Sequence, residues 1–146
     1  MKVSTRSRYG LRLMLELGVQ FGRGPTLLKE ISRSQEISEK YLSQIILPLK
    51  AAGLVKSFRG AKGGYVLARD PAAISVREIV EVLEGNLTPV ECVDQPAGCR
   101  RSTTCVTQGV WRTVGKAITD SLDSLSLGDL VAEHRARVDR GLAWTI

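Results

Sequence analysis

Two short helical segments, separated by only three residues, constrain the fold of this chain more than any other feature. The first is predicted to follow Thr26 as its N-cap and to end near Ser34. After the connection Gln35-Glu36-Ile37, Ser38 caps a second helix that is predicted to reach Ala52. Two helices joined by so short a turn form a helix-turn-helix motif.

The second of these helices has an apolar face and a polar face. The positions predicted to be buried fall at helical spacing: Leu42, Ile45, Ile46 and Leu49. The polar or amphipathic side chains of the other face are Ser38, Glu39, Lys40, Tyr41, Ser43 and Gln44. Such side chains reach phosphates and base edges, and glutamine pairs with adenine through two hydrogen bonds. The pattern favours a helix that reads DNA, although an ordinary solvent-facing helix has the same two faces.

A glycine-rich hairpin is predicted after the helix-turn-helix segment. Its strands cover Leu54–Phe58 and Tyr65–Ala68, and the residues between them are Arg59-Gly60-Ala61-Lys62-Gly63-Gly64. Arg59 and Lys62 at such a flexible tip suit a wing that follows the DNA backbone or enters a minor groove. The glycines lack the spacing of a nucleotide-binding phosphate loop.

Positive charge is concentrated in the first half of the chain. Residues 1–70 contain 13 Lys and Arg against 5 Asp and Glu, a balance of +8, whereas residues 71–146 contain 8 against 10, a balance of −2. This asymmetry indicates a module that binds a polyanion, joined to a part with another role. We therefore expect double-stranded DNA to be the partner of the first part.

Four further helices are predicted. They run from Ser7 to Phe21, from the capping box Ser75-Val76-Arg77-Glu78 to Gly85, from Thr104 to Ser121, and onward from Ser126. In the first of them one apolar stripe contains Leu11, Met14, Leu15, Gly18 and Val19, and a second contains Leu13 and Leu17. The expected fold class is mainly α with a small β-hairpin wing. It comprises a winged helix-turn-helix DNA-binding domain at 1–85, a cysteine-containing sensor loop at 86–104, and a dimerisation helix with a C-terminal helix at 104–146.

Several classes of protein are excluded. Arg12 and Glu16 interrupt the apolar stretch at 11–19, so a signal peptide is not predicted. No segment approaches the roughly 18 apolar residues that span a bilayer, so we expect a cytoplasmic protein with no membrane partner. A hydrolytic or transfer enzyme is not expected, because the single histidine, His134, has no predicted nucleophile beside it.

Three cysteines, Cys92, Cys99 and Cys105, lie in or beside the 86–104 loop. Thiols stay reduced in the cytoplasm, so ligands or sensors are expected in place of disulfides. Thiolates with six and five intervening residues can surround one metal ion or iron–sulfur cluster, and Arg100 and Arg101 would offset its negative charge. The same residues also fit three small buried apolar side chains.

The sequence resembles the Rrf-type winged-helix repressors, most closely their iron–sulfur cluster regulator (IscR-like) branch. The matching segments are the opening residues 1–12, Ile37-Ser38-Glu39-Lys40-Tyr41-Leu42, the wing residues 59–65, and the three-cysteine loop before a tryptophan-containing helix. The resemblance covers residues 1–133. It implies a homodimer with crossing C-terminal helices that represses or activates genes of cluster assembly, iron use, cysteine metabolism or nitrosative stress.

The resemblance also implies roles for particular residues. The major groove would be contacted by Ser38, Lys40, Tyr41, Ser43 and Gln44, and the wing contact would include Arg59 and Gly60. A labile iron–sulfur cluster, 2Fe–2S in preference to 4Fe–4S, would be held by Cys92, Cys99 and Cys105. Such a cluster would control a DNA-binding transcriptional repressor for iron–sulfur or iron homeostasis.

The fourth ligand departs from the family pattern. Cluster regulators have a histidine three residues after the last cysteine, where this chain has Gln108. Nitric-oxide-sensing relatives use an acidic residue on the first helix of the partner, where this chain has Arg8. The candidates that stay open are Gln108, Asp94, Glu91, Ser102 and an exogenous thiol, while His134 is expected to be a surface residue. Two alternatives also stay open: a cluster-free regulator controlled by a partner protein or by thiol redox state, and a small iron–sulfur electron-transfer protein.

Overall fold

The computed structural model describes residues 2–141, which form seven α-helices and one two-stranded hairpin. The helices are α1 Thr5–Val19, α2 Leu28–Gln35, α3 Glu39–Ala51, α4 Val76–Glu84, α5 Glu91–Asp94, α6 Val106–Asp123 and α7 Leu127–Asp139. The strands are β1 Val55–Phe58 and β2 Gly64–Leu67, and two 3₁₀ turns cover Pro71–Ala73 and Pro96–Gly98. The mainly helical fold with a hairpin wing is confirmed. The predicted domain limits stay a prediction, and their last residues, 142–146, lie outside the described part.

Helix α1 begins at Thr5, two residues before its predicted start. The reason is an N-cap at Ser4, whose hydroxyl accepts a hydrogen bond from the backbone NH of Ser7 at 3.1 Å. The helix ends at Val19, two residues earlier than predicted, and Gln20 is its C-cap.

Both predicted apolar stripes of α1 contribute to the core. Leu13 and Leu17 of the second stripe are completely buried, and so is Met14 of the first, whereas Leu11 and Leu15 are only half-buried. Residues of α2, α3, α4 and α7 surround the buried side. Leu11 and Leu15 instead line a groove between α1 and α7.

The helix-turn-helix motif is formed by α2 and α3. Helix α2 begins at Leu28 because the NH of Leu27 donates to a carboxylate oxygen of Glu30 at 3.1 Å, which makes Leu27 the N-cap in place of Thr26. In the turn, Glu36 adopts a left-handed backbone conformation with φ of 55°. Ser38 caps α3 as predicted, and the four predicted apolar residues of α3 are buried. Pro48 lies inside α3 without ending it.

Helices α4 and α7 start side by side. Each has a capping box, Ser75 with Glu78 and Ser126 with Asp129, and the first was predicted. The backbone NH of Leu127 donates to the carbonyl oxygen of Ile74 at 2.8 Å, which joins the two starts. Helix α7 then packs on α1, where Gly18 leaves room for Val131: a Cβ at Gly18 would lie 2.7 Å from a methyl carbon of Val131.

Between α4 and α6 the chain contains regular secondary structure where the sequence predicts a loop. Residues 86–104 contain the short helix α5 and the 3₁₀ turn Pro96–Gly98. Helix α6 starts at Val106, because Cys105 has extended backbone and occupies the N-cap position. None of the helices within residues 2–141 is long and apolar enough to cross a membrane.

Candidate nucleic-acid interface and cysteine loop

The polar face of α3 is open to solvent. Lys40, Gln44 and Leu47 follow one another at helical spacing, and all three side chains are exposed. Ser38 and Ser43 are exposed too, but their hydroxyls already form local hydrogen bonds: Ser38 accepts from the NH of Tyr41 at 3.1 Å, and Ser43 donates to the carbonyl of Glu39 at 2.9 Å. Lys40 and Gln44 are therefore long polar side chains of this face that can extend outward and donate hydrogen bonds.

Tyr41 differs from the other predicted contact residues because it is half-buried. Its ring meets the ring of Tyr9 on α1 edge-on, with 5.9 Å between the ring centroids and 90° between the planes. The guanidinium of Arg12 lies over the Tyr9 ring, 5.4 Å from its centroid. Tyr41 thus attaches α3 to α1, and only its outer edge is available to a ligand.

A polar network joins α1 to the end of α2. Glu16 is 7% exposed, and one oxygen of its carboxylate accepts hydrogen bonds from the hydroxyl of Ser34 and from the Gln35 amide, the latter at 2.8 Å. Arg12 donates from Nε to the side-chain oxygen of Gln35 at 2.8 Å and from Nη2 to the backbone carbonyl of the same residue. The network fixes the turn that precedes α3. Sequence reasoning missed it, although an acidic residue among the apolar positions of α1 was the available signal.

The wing is fixed at its base and open at its tip. The NH and carbonyl of Thr26 exchange hydrogen bonds with Tyr65 at 2.9 and 2.8 Å. Gly64, with φ of 140°, allows this approach, since a Cβ there would lie 2.6 Å from the Thr26 carbonyl oxygen. The tip residues Arg59, Gly60, Ala61 and Lys62 are exposed, and a turn closes with Gly63 donating to Gly60 at 3.0 Å.

Most of the described lysine and arginine side chains before position 70 form no ion pair with a carboxylate. Among the described lysines and arginines before position 70, only Arg69 has a side-chain nitrogen within 4.0 Å of a carboxylate oxygen, that of Glu78. Lys40, Arg59 and Lys62 therefore form no ion pair with the described part of the chain. Such charges attract the phosphates of nucleic acids.

The three cysteines are half-buried free thiols. Cys92 lies in α5, Cys99 follows the second 3₁₀ turn, and Cys105 precedes α6. Within residues 2–141, no three side chains of His, Cys, Asp or Glu are gathered so that they could hold a metal ion. The structure thus places the predicted ligands in one loop without bringing their sulfur atoms together.

Cys105 is the thiol with a perturbed acidity. Its Sγ lies 3.2 Å from the hydroxyl of Thr107. That hydroxyl, followed by the backbone NH of Gln108 and more weakly by the positive charge of Arg101, lowers the pKa of the Cys105 thiol below its ordinary value. A lowered pKa increases the thiolate fraction and therefore the reactivity of the sulfur.

Gln108 is the buried residue of α6, with 4% of its surface exposed. Its side-chain NH₂ donates to the backbone carbonyl of Cys92 at 2.7 Å, and its oxygen accepts from Arg112 at 3.2 Å. Both ends of the amide are occupied, so Gln108 fastens α5 to α6. Of the other candidates for the fourth ligand, Glu91 and Asp94 are exposed and Ser102 is half-buried. His134 lies in the groove between α1 and α7.

A comparison with protein families identifies the family of this chain. The family model of Rrf2, described as an iron-dependent transcriptional regulator, matches residues 3–133. This chain belongs to the Rrf2 family. The resemblance inferred from the sequence is thereby confirmed, and so is the expectation that the chain is not an enzyme, because the family consists of DNA-binding transcriptional regulators.

Individual Rrf2 relatives include more than one kind of regulator. The transcriptional regulator CymR of Bacillus subtilis is 45% identical over 132 residues, covering 90% of this chain and 91% of the relative. IscR of Aliivibrio salmonicida is 34% identical over 137 residues, covering 94% of this chain and 81% of the relative.

Two solved structures also match. That of CymR, described as the global cysteine regulator of B. subtilis, has a TM-score of 0.78 at 43% identity, covering 91% of this chain and 98% of its own. That of T. potens IscR has a TM-score of 0.77 at 40% identity, covering 100% and 94%. The winged-helix fold class is confirmed by these neighbours.

An iron–sulfur cluster, which the IscR-like resemblance implies, does not fit the loop in this conformation. Three thiols are chemically suitable ligands, but they are not gathered, and the amide of Gln108 is bound to the carbonyl of Cys92 and to Arg112. The cysteine loop of this Rrf2 regulator therefore forms no cluster site in the described conformation.

Proposed function

We propose that this Rrf2 regulator is a homodimer that recognises a two-fold operator in double-stranded DNA. Helix α3 would enter the major groove with Ser38, Lys40, Tyr41, Ser43 and Gln44, and the wing would contact the backbone with Arg59, Gly60 and Lys62. The observation that carries the proposal is the division of α3 into a buried apolar face and an exposed polar face, on which Lys40 forms no ion pair within 4.0 Å among residues 2–141.

The homodimer is supported by the surface of α6. Val106 is 88% exposed, Val110 53% and Trp111 42%, and their spacing places apolar surface along the helix. A second copy of α6 would cover it, and a two-fold dimer presents two recognition helices to half-sites about one helical turn, ~34 Å, apart. Sedimentation equilibrium tests this part. A dimer that becomes monomeric in Trp111→Glu but not in Lys116→Glu supports it, and a monomeric wild-type chain contradicts it.

We propose further that the cysteine loop receives the signal that controls DNA binding. The loop lies directly before α6 and is fastened to it by Gln108, so a chemical change in the loop would act on the dimerisation helix. The descriptions of the family and of a relative point to iron and cysteine metabolism as the regulated processes. The resemblance to the IscR-like branch adds iron–sulfur homeostasis, with repression as the predicted direction.

The nature of that signal has two candidates. The cluster hypothesis requires the loop to rearrange so that Cys92, Cys99 and Cys105 converge. Reversible oxidation or alkylation of a thiol requires no such rearrangement, and the lowered pKa of Cys105 favours it.

Anaerobic purification separates the two candidates. Visible absorption with stoichiometric iron and sulfide, lost in Cys92→Ala, supports the cluster. A colourless protein whose DNA affinity changes with thiol oxidation supports thiol chemistry, provided that the DNA affinity of the Cys105→Ser variant does not change. A DNA affinity that still responds to cluster loading or to thiol oxidation when all three cysteines are replaced by serine contradicts the role of the loop.

A further inference from the structure

Leu47 is an apolar side chain on the polar face of α3, and 64% of its surface is exposed. The other leucines and isoleucines of the helix are buried: Leu42, Ile45, Ile46 and Leu49. Among the large apolar side chains of residues 2–141, only Val106 is more exposed, and Val106 belongs to the proposed dimer surface on α6. The packing of the described residues therefore makes little use of the Leu47 side chain.

The position of Leu47 on α3 places it in line with Lys40 and Gln44. Side chains separated by four and by three residues lie on one side of a helix, here within about 60° of arc because successive residues are about 100° apart. Gln44 and Leu47 are about 4.5 Å apart along the helix axis, at about 1.5 Å per residue. Successive bases of a DNA strand are about 3.4 Å apart. When Gln44 contacts one base pair, Leu47 can therefore reach that pair or a neighbouring one.

The chemistry of leucine limits what Leu47 can recognise in the major groove. Its side chain has no hydrogen-bonding group, so it cannot pair with the nitrogen and oxygen atoms of base edges. Among the groups that base pairs present in the major groove, the C5-methyl of thymine is the apolar one. Contact between this methyl and a leucine removes apolar surface of both partners from water, which is favourable.

The surroundings of Leu47 favour DNA over a second protein as the partner. The neighbouring side chains Ser43, Gln44 and Lys50 are polar and exposed. Apolar surfaces that bind proteins are contiguous patches, whereas Leu47 is a single leucine among polar groups. Lys40, on the same side of the helix, forms no ion pair within 4.0 Å among residues 2–141 and attracts phosphates.

We propose that Leu47 is a specificity-determining residue that contacts the C5-methyl group of a thymine in each half-site of the operator. This thymine lies in the base pair that Gln44 contacts or in a neighbouring pair. The inference deepens the proposed recognition of DNA by α3 and rests on it. It adds to that recognition a preference for thymine at one position of the half-site.

The test replaces each thymine of the operator in turn by deoxyuridine, which keeps the hydrogen bonds of the base pair and lacks only the C5-methyl group. The operator is obtained with the full chain by selection from a random pool of double-stranded DNA, and affinities are measured by fluorescence anisotropy. At one thymine of each half-site we expect the replacement to weaken binding about fourfold, the value for one methyl group removed from water. Replacement in both half-sites is expected to weaken binding about sixteenfold, because contacts at separated positions are nearly additive.

Variants of Leu47 assign the effect to this side chain. Leu47→Ala is expected to bind the thymine and uracil operators alike, and Leu47→Met, which keeps a long apolar side chain, is expected to retain the discrimination. Lys62→Gln is the control: it weakens binding to both operators and is expected to leave their ratio unchanged. Because Leu47 is exposed, its variants are expected to fold, and circular dichroism checks this.

The inference is overturned if no thymine of the operator discriminates against uracil, or if Leu47→Ala discriminates as the wild type does. It is also overturned if Leu47→Ala dissociates the wild-type oligomer in sedimentation equilibrium, since the leucine would then belong to a contact between proteins. A selected motif bound without such discrimination contradicts the Leu47 contact alone. Selection of no motif contradicts the proposed recognition of DNA by α3 together with it.

Discussion

The ring of Tyr41 on the recognition helix meets the ring of Tyr9 on α1 edge-on, with 5.9 Å between their centroids. Arg12 lies over the same Tyr9 ring and hydrogen-bonds Gln35 at the end of α2. One helix thus fixes both helices of the motif by an aromatic contact and a polar one. Reading bases requires a recognition helix whose position is determined by its supports, and α1 provides them.

The aromatic contact gives the first prediction. Tyr9→Leu keeps an apolar side chain but removes the edge-on pair, so the free energy of unfolding is expected to fall by roughly 0.5–1.5 kcal/mol. Tyr9→Phe keeps the ring and is the matched control, with an expected change near zero. Urea denaturation followed by circular dichroism measures both. Equal stability of the two variants would show that the pair does not support the motif.

The exposed face of α3 gives the second prediction. Gln44→Ala is expected to cost about 1–3 kcal/mol in binding of the preferred operator and to relax the choice of base at one position, because it removes a contact to a base edge. Fluorescence anisotropy with operators altered one base pair at a time measures this. Lys116→Gln, on α6, is the control. A uniform loss of affinity for all operators would contradict a role of Gln44 in base recognition.

The wing gives the third prediction, a loss of DNA affinity that does not depend on base sequence. Lys62→Gln is expected to weaken binding to all sequences alike and to reduce the slope of log affinity against log salt concentration by about 1, because one phosphate contact is lost. The slope is measured by anisotropy titrations over a series of salt concentrations. An unchanged slope would place Lys62 away from the phosphates.

The fastening of the cysteine loop gives the fourth prediction. Gln108→Leu removes the hydrogen bond to the carbonyl of Cys92, so the local stability of residues 91–98 is expected to fall by about 1–3 kcal/mol. Hydrogen exchange measured by mass spectrometry would show faster exchange there. Gln95→Leu, at an exposed glutamine of the same loop, is the control. Equal exchange in both variants would mean that Gln108 does not hold the loop.

A carboxylate at the start of α1 gives a pH-dependent prediction. The backbone NH of Ser4 donates to Glu84 at 2.6 Å. The nearby Ser4 hydroxyl, followed by this NH, lowers the pKa of Glu84 below its ordinary 4.5. Because the folded-state pKa is the lower one, this stabilisation is present above the unfolded value and disappears as pH falls through the folded value.

Glu84→Gln is therefore expected to be less stable than the wild type at neutral pH, with a difference that shrinks as the solution is acidified below pH 4.5. Thermal unfolding of both proteins over this pH range is the measurement. A difference that does not depend on pH would show that the charge of Glu84 plays no part.

Local signals in the sequence predicted the elements well. The serine N-cap of α3, the capping box of Ser75 and Glu78, and the glycine-rich hairpin all depend on residues close together in the chain, so they could be read directly. Helix α2 was placed one residue early, because Thr26 is paired with the distant Tyr65 and does not cap the helix.

Tertiary contacts were harder to predict from the sequence than the helices and strands. The sequence shows two apolar stripes on α1, but which of their residues face the core depends on where α4 and α7 pack. Leu13, Met14 and Leu17 face it, whereas Leu11 and Leu15 do not. The network of Glu16, Arg12 and Gln35 joins residues about 20 positions apart, so no local pattern shows it. The cysteine spacing likewise indicated a set of ligands, whereas the separation of the sulfur atoms depends on α5 and on Gln108.

The most direct test of DNA recognition by α3 is selection of bound sequences from a random pool of double-stranded DNA by the purified protein. We expect enrichment of a two-fold motif with half-sites about one helical turn apart. In the double variant with Lys40→Gln and Gln44→Ala, the base preferences within the half-sites are expected to be lost. Enrichment of no motif by the wild type, or of the same motif by the double variant, would contradict recognition through this helix.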